Sequence, residues 1–401
     1  MPGFAPFSGV RYDPALVRLA DVTAPPYDVV DAEERSRLSG RSPYNVVRID
    51  LPLAEPGVDR YAKACRLFHG WLRDGVLRTE RAPAFYGYRM TYEDELGRPR
   101  HTTGVIGALD LVAPGEGGIL PHEQTHQRAR SDRLTMLRTC RANLSPVWLL
   151  SLAAGLTARC APETEPVDRW VDEEGVGHEL WVVDDPAAEA TIAELVGSAP
   201  LVIADGHHRY ETSLAYRDER HAEGAGPGPW DRLMAFVVEL AEDELDVHPI
   251  HRLLSGLPDD LDLVAALAAS FDAERLAGGE GDDPVGLAAR LPDLGGLGLL
   301  TAEGAWLLRP RHGADVDSGV LAGALAALPD HVVRYHHSPT AAAKVVRSGD
   351  AQAAVLLRPV PVPRIADAAR AGERFPPKTT FFAPKPRTGL VFMNLDADAD
   401  A

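Results

Sequence analysis

Leu201-Val202-Ile203-Ala204-Asp205-Gly206-His207-His208-Arg209-Tyr210 is the stretch on which the reading of the whole chain turns. A short apolar run ends in Asp-Gly, and two histidines and an arginine follow directly. The next segment, Tyr210 to Arg220, reads as a helix, with Leu214 and Ala215 one turn beyond Tyr210 and on its face. The unit is therefore strand, tight turn, helix. A helix start carries unpaired backbone N–H groups and partial positive charge. Gly206 has no side chain to keep a ligand off that backbone. Arg209 adds a permanent charge whose fork can grip a phosphate through two parallel hydrogen bonds. The corner reads as an anion site, with phosphate as the natural anion. The same residues also read as an ordinary Asp-Gly turn followed by a solvated first helical turn.

Working outward, 401 residues suggest two or three domains with ample core. The apolar share of 45% and charged share of 25% are those of a soluble globular protein. No apolar run approaches the ~20 residues that span a bilayer, and Met1 to Arg11 lacks the pattern of a secretory signal. Cys65, Cys140 and Cys160 lie far apart without CxxC spacing, which points to reduced thiols and a cytoplasmic setting. A formal net charge of −18 disfavours nucleic acid or an anionic membrane as partner. A small phosphorylated ligand needs only a local positive site and stays open.

Strands are expected at Asn45 to Leu51, Phe85 to Tyr92, Gly104 to Leu109, Pro146 to Leu152, Glu179 to Val183, Arg232 to Leu240 and Gly389 to Met393. Helices are expected at Arg60 to Asp74, Arg130 to Thr139, Ala187 to Val196, Leu261 to Phe271, Pro339 to Arg347 and Val362 to Ala371. Gly298 to Leu308 suggests a hairpin. Mixed strands and helices with several hairpins give the α+β class. Gly224 to Pro229 is the clearest linker, dividing residues 1–223 from residues 230–395.

Four further stretches carry polar groups suited to chemistry. Ala24-Pro25-Pro26-Tyr27-Asp28 reads as a rigid loop, its prolines fixing the entry to Tyr27 and Asp28. His122-Glu123-Gln124-Thr125-His126 matches the HExxH zinc pattern, but a Gly/Pro loop precedes it and Pro121 abuts it, where a zinc protease would have a helix. A loop glutamate aimed into a cleft is the better reading, with Glu123 a candidate general base; an exposed loop is the plain one. In Pro377-Lys378-Thr379-Thr380-Phe381-Phe382-Ala383-Pro384-Lys385, two lysines and two hydroxyls sit among prolines, and Lys378 could pair with phosphate oxygens. That segment also reads as a stiff surface connector. His248 to Arg252 and Tyr335 to His337 concentrate histidines in two places, neither with a recognised ligand spacing.

Gly206-His207-His208-Arg209 resembles the Gly-x-His-Arg nucleotide site of the ParB/sulfiredoxin-like superfamily, and its Asp-Gly-His-His-Arg form looks most like the free serine kinases. Across nearly the whole chain, the sequence resembles the bacterial family catalogued as domain of unknown function 1015. That match is carried by Pro25 to Val29, His122-Glu123 with Thr125, Asp132-Arg133-Leu134, Ala142 to Pro146, Ala204 to Arg209, His251-Arg252 and Pro377 to Lys385. The resemblance implies a ParB/sulfiredoxin-like mixed-sheet core in residues 1–223, with an α/β C-terminal region packed against it that contributes the Pro377 to Lys385 loop. His207 stands where sulfiredoxins place a cysteine, which disfavours thiol repair. The acidic charge and the lack of a basic helix-turn-helix disfavour a DNA clamp.

What survives is a phosphotransferase that uses ATP or ADP with Mg²⁺ on a small hydroxyl compound, free serine among the candidates. The resemblance implies that Gly206, His207, His208 and Arg209, with Lys378 and Thr379, hold the nucleotide, and that Asp205 and His208 act in catalysis; Glu123 is placed with them as the base from its own loop setting, not from the resemblance. Tyr27, Asp28, His122, Thr125, His251 and Arg252 are expected around the substrate, and no protein-bound metal is expected. Two rivals remain: a nucleotide-binding regulatory protein without turnover, and a metal-dependent hydrolase built on His122, Glu123 and His126.

Overall fold

A computed structural model of the chain describes residues 1–113, 116–121, 130–161, 165–277, 279, 281–311 and 316–396. The chain divides into two compact units, Met1–Asp246 with Pro384–Ala401, and Val247–Ala383. The Gly224 to Pro229 stretch is a loop within the first unit, and the strand after it, Arg232–Glu239, belongs to that unit's sheet.

The first unit is built on a nine-stranded mixed sheet. Its order runs Ile119–Pro121, Leu201–Asp205, Val147–Ser151, Arg232–Glu239, Pro99–Asp110, Phe85–Glu93, Gly177–Val183 and Asp168–Val171, with Phe4–Ala5 also paired to Pro99–Asp110. Leu201–Asp205 is parallel to Ile119–Pro121 and antiparallel to Val147–Ser151. The central strands read as continuous apolar runs because both faces are covered. Leu201, Ile203, Leu149 and Val237 pack on the face that meets Ile192 and Val196 of the helix Pro186–Ser198. On the opposite parity, Phe236 meets Tyr88 edge-on at 5.5 Å and lies 6.1 Å from Trp148.

The second unit carries a six-stranded sheet, ordered Phe271–Arg275, Gly304–Pro310, Leu297–Thr301, Ala353–Leu356, His251–Ser255 and Val332–His336, antiparallel at every pairing. Leu287 and Leu291 from Pro284–Leu294 join Ala342 and Val346 from Pro339–Arg347 in one core cluster. Leu267 and Leu321, from Leu263–Leu267 and Asp317–Leu325, belong to the other. The α+β class holds. Among the described residues no helix is long and apolar enough to cross a membrane, and Cys65, Cys140 and Cys160 are free thiols.

Three expected elements differ. Asn45 to Leu51, expected as a strand, contains the helix Val47–Asp50. The Asn45 amide explains it: Nδ2 donates to the Asp21 and Thr23 carbonyls while Oδ1 accepts the Val47 N–H, so the side chain pins a turn that alternation alone could not reveal. Leu261 to Phe271, expected as one helix, is helical only over Leu263–Leu267, and Phe271 opens a strand paired with Gly304–Pro310. Of Gly389 to Met393, only Met393 lies in a strand, Met393–Asn394.

Candidate functional site

The expected corner forms as strand Leu201–Asp205 and helix His207–Ala222. Gly206 caps the helix with φ 93°, in the left-handed region where a side chain is disfavoured. A Cβ there would also meet the Arg209 guanidinium at 3.0 Å. Just before it, Ile203 pairs with Leu149 and Asp205 with Trp148, so the ladder skips Ala204. Such a bulge re-aims the side chain that follows. The helix is anchored by Tyr210, whose hydroxyl donates to the Val112 carbonyl at 2.8 Å.

Asp205 is the hub of a buried charge cluster. Arg209 Nη2 donates to its Oδ2, and Lys385 Nζ lies 2.7 Å from its Oδ1. The same ammonium donates to Asp28 Oδ2. Burial opposes ionisation of Asp205, but Lys385 and then Arg209 outweigh it and hold the carboxyl down at about 2. Burial likewise opposes the charge on Lys385, and Asp205 with Asp28 overcomes it and raises the ammonium above its ordinary value. Lys385 and Asp28 are brought together by backbone pairing: Ala24 and Thr388 exchange hydrogen bonds of 3.1 and 2.8 Å, one on each side of the two loops.

Tyr27 sits between this cluster and a second one. The Arg133 guanidinium lies 4.3 Å from the Tyr27 ring centroid, within cation–π range. Arg133 Nη1 donates to Asp50 Oδ1 at 2.9 Å, and its Nη2 to Asp132 Oδ2 at 2.8 Å. Asp132 also accepts from the Tyr61 hydroxyl at 2.7 Å. Burial pushes the Asp50 carboxyl up, against the pull of Arg133. Between the clusters lies a cavity of about 60 Å³ lined by Tyr27, Asp50, Arg133, Arg209 and Thr212, among others.

Among the expected site residues, Tyr27, Asp28, Asp205, Gly206 and Arg209 gather in this one region. His207 and His208 form the first turn of the helix. Arg209 does not present its fork outward: Nη1 donates to Ser145 Oγ at 3.1 Å and to the Pro146 carbonyl, and Nη2 is held by Asp205. His122, Glu123, Thr125 and His126 lie outside the described residues. Lys378, Thr379, His251 and Arg252 belong to the second unit. There Lys378 has a positive φ of 60°. Thr379 donates its hydroxyl to the Pro376 carbonyl at 2.6 Å. His251 is fully buried, accepts the Leu357 N–H on Nδ1, and is pushed by burial down to about 3. Arg252 donates to the Ile250 carbonyl and lies 4.9 Å from the Tyr335 ring centroid. Strand pairing also sets His251 opposite His336, so the two histidine-rich stretches meet.

Sequence reasoning did not mark Lys385, Asp50, Arg133 or Thr212 as site residues, although Arg133 and Lys385 stand in stretches that carry the family match. Lys385 stood in the proline-flanked segment, but its partners are 180 and 357 positions away. Among the described residues no group of three or more His, Cys, Asp or Glu could hold a metal ion.

A search of curated proteins gives no match. Among solved structures, a conserved hypothetical protein from Pyrococcus furiosus is 16% identical with a TM-score of 0.37, covering 68% of this chain and 90% of its own. A free serine kinase in complex with AMP is 15% identical with a TM-score of 0.40, covering 70% and 89%. SbnI with a C-terminal truncation, from Staphylococcus aureus, is 12% identical with a TM-score of 0.37, covering 71% and 85%. Likenesses this distant do not bear on function. The model of the family described as "Protein of unknown function (DUF1015)" matches residues 4–331, and the chain belongs to that family.

Proposed function

We propose that the first unit is a nucleotide-dependent phosphotransferase with a ParB/sulfiredoxin-like core, acting on a small hydroxyl substrate. The observation that carries this reading is the Asp28–Lys385–Asp205–Arg209 cluster, buried except at Asp28, at a glycine-capped helix start. Phosphoryl transfer asks the protein mainly for positioning and for charge placed in advance. Lys385 is an ammonium fixed between two carboxylates, and the N–H groups at the helix start favour an anion. ATP or ADP supplies the phosphoryl group, and these groups orient its phosphates. Asp28 takes the proton of the acceptor hydroxyl on Oδ1, which has no hydrogen bond among the described residues, while Oδ2 stays on Lys385. The acceptor oxygen forms the new P–O bond as the bond to the nucleotide's bridging oxygen breaks, and the nucleotide leaves with that electron pair.

Both Asp205 oxygens already face cations, so the described residues do not form a ready Mg²⁺ site. Glu123 remains the second candidate for the base. The test is direct: purified protein with ATP or ADP and a panel of small hydroxyl compounds should yield a phosphorylated product and bind nucleotide. Absence of nucleotide binding at millimolar concentration overturns the reading.

A further inference from the structure

We infer that the cavity beside Arg209 is a carboxylate-binding subsite, so the acceptor of the proposed phosphotransfer is a small hydroxy-carboxylate. The inference rests on that reading for the ligand's role, and on the cavity alone for its chemistry. Thr212 is 2% exposed and lines the cavity, and its hydroxyl has no hydrogen-bond partner among the described residues. Arg209 Nε is a second buried donor in the same condition, because only its two terminal nitrogens are engaged by Ser145, Pro146 and Asp205. A buried polar atom without a partner is destabilising, and such atoms call for a reason. Both residues line the one cavity, three positions apart on one helix. Asn143 also lines the cavity, its amide oriented by Oδ1 accepting the Met234 N–H at 2.7 Å. Ser213 adds another lining hydroxyl.

A wall of donors suits a ligand rich in acceptors. Both lining guanidiniums are already paired, Arg133 with Asp50 and Asp132 and Arg209 with Asp205. The donors left over are mainly neutral hydroxyl and amide groups, which match a monoanion better than a phosphate dianion. The volume of about 60 Å³ admits only about four to six water-sized groups at ~10–15 Å³ each, which suits a carboxylate on a short carbon chain. Met136 and Leu137 line the same cavity and give that chain an apolar surface. Tyr27 lines it too, and its neighbour Asp28 is the proposed base, so a hydroxyl on that chain would lie on the Asp28 side.

The full-length protein is titrated calorimetrically with D-glycerate, lactate, ethanolamine and inorganic phosphate, and separately with ADP. Glycerate and lactate are expected to bind, ethanolamine not to bind, and phosphate to bind more weakly than glycerate. Thr212→Val should weaken glycerate about tenfold, the loss expected of one hydrogen bond to a charged group, with ADP affinity unchanged. Ser213→Ala should weaken glycerate by a smaller factor. The inference is overturned if ethanolamine or phosphate binds as tightly as glycerate. It is also overturned if both variants, shown folded by circular dichroism, bind glycerate as the parent does. Glycerate binding without ADP binding would uphold the subsite and overturn the phosphotransfer reading; ADP binding with no carboxylate binding would do the reverse.

Discussion

The two units place charge differently. In the second unit the sheet is flanked by two leucine- and alanine-rich clusters, and Arg358–Asp317 is an ion pair beside them. In the first unit, the end of strand Leu201–Asp205 and the loops near it hold Asp28, Lys385, Asp205 and Arg209 in one chain of ion pairs, with Arg133 and Asp50 paired in a second cluster beyond Tyr27. Burying ionised groups is unfavourable unless each is matched, and a matched set is seldom more stable than an apolar one of the same shape. Apolar packing is the efficient route to stability, so the charged region points to function and the apolar one to support.

The contrast breaks most sharply at Lys385. Replacing it with Met leaves Asp205 and Asp28 without their shared cation, which should destabilise the protein by about 4 kcal/mol, as when one partner of a buried pair is lost. Denaturant unfolding measures this, and a change under about 1 kcal/mol would show that the pair contributes little. Leu299→Ala, at a fully buried position in the second sheet, should give about 3 kcal/mol from lost contacts and a cavity. Its ADP affinity should stay at the parent value. If nucleotide binding falls as well, the division of labour between the units is wrong.

Acid sharpens the same comparison. The folded-state carboxyl of Asp205 is held at about 2, below its ordinary 3.8. Its contribution is therefore complete above about pH 4 and is lost as pH falls towards 2, amounting to roughly 2 kcal/mol at the acid end. Unfolding free energies of the parent and Asp205→Asn should lose their parallel course only below pH 4; parallel curves throughout would mean the pair is not formed in solution. Gly206→Ala is next, at about 1.5 kcal/mol, because an L-residue at φ 93° is strained and its Cβ presses on Arg209.

How much of this was legible in the sequence depended on the range of the interactions. The strand Leu201–Asp205 and its helix could be read because an apolar run, a turn glycine and helical spacing are all local. The helix Pro339–Arg347 was read to its boundaries for the same reason, with Ser338 as cap and Pro339 in its first turn. Asn45 misled because its capping bonds reach back to Asp21 and Thr23. The site was legible in part: Tyr27, Asp28, Asp205 and Arg209 were singled out, but Arg133 reaches Asp50 across 83 positions, and no periodicity encodes that. Lys385 went unmarked for the same reason: its setting beside Asp28 depends on the distant Ala24–Thr388 pairing.

The smallest effect on stability, and the most informative one on chemistry, is expected at Asp28. Its side chain is 40% exposed, so Asp28→Asn should change stability by less than about 1 kcal/mol, as for a solvent-screened pair. As a base it should matter far more, because losing a general base slows a reaction by about a hundredfold or more. Turnover of Asp28→Asn, with ADP affinity kept near the parent value, should fall by that factor, and Glu123→Gln should leave turnover largely intact. The opposite pattern, a silent Asp28→Asn beside an inactive Glu123→Gln, would move the proton to Glu123 and reduce Asp28 to a holder of Lys385. Loss of ADP binding in Asp28→Asn would mean that this carboxylate fixes the ammonium in the nucleotide site rather than handling the proton. Stability, turnover and nucleotide affinity of one variant thus separate the three roles open to a carboxylate that shares its cation with a buried neighbour.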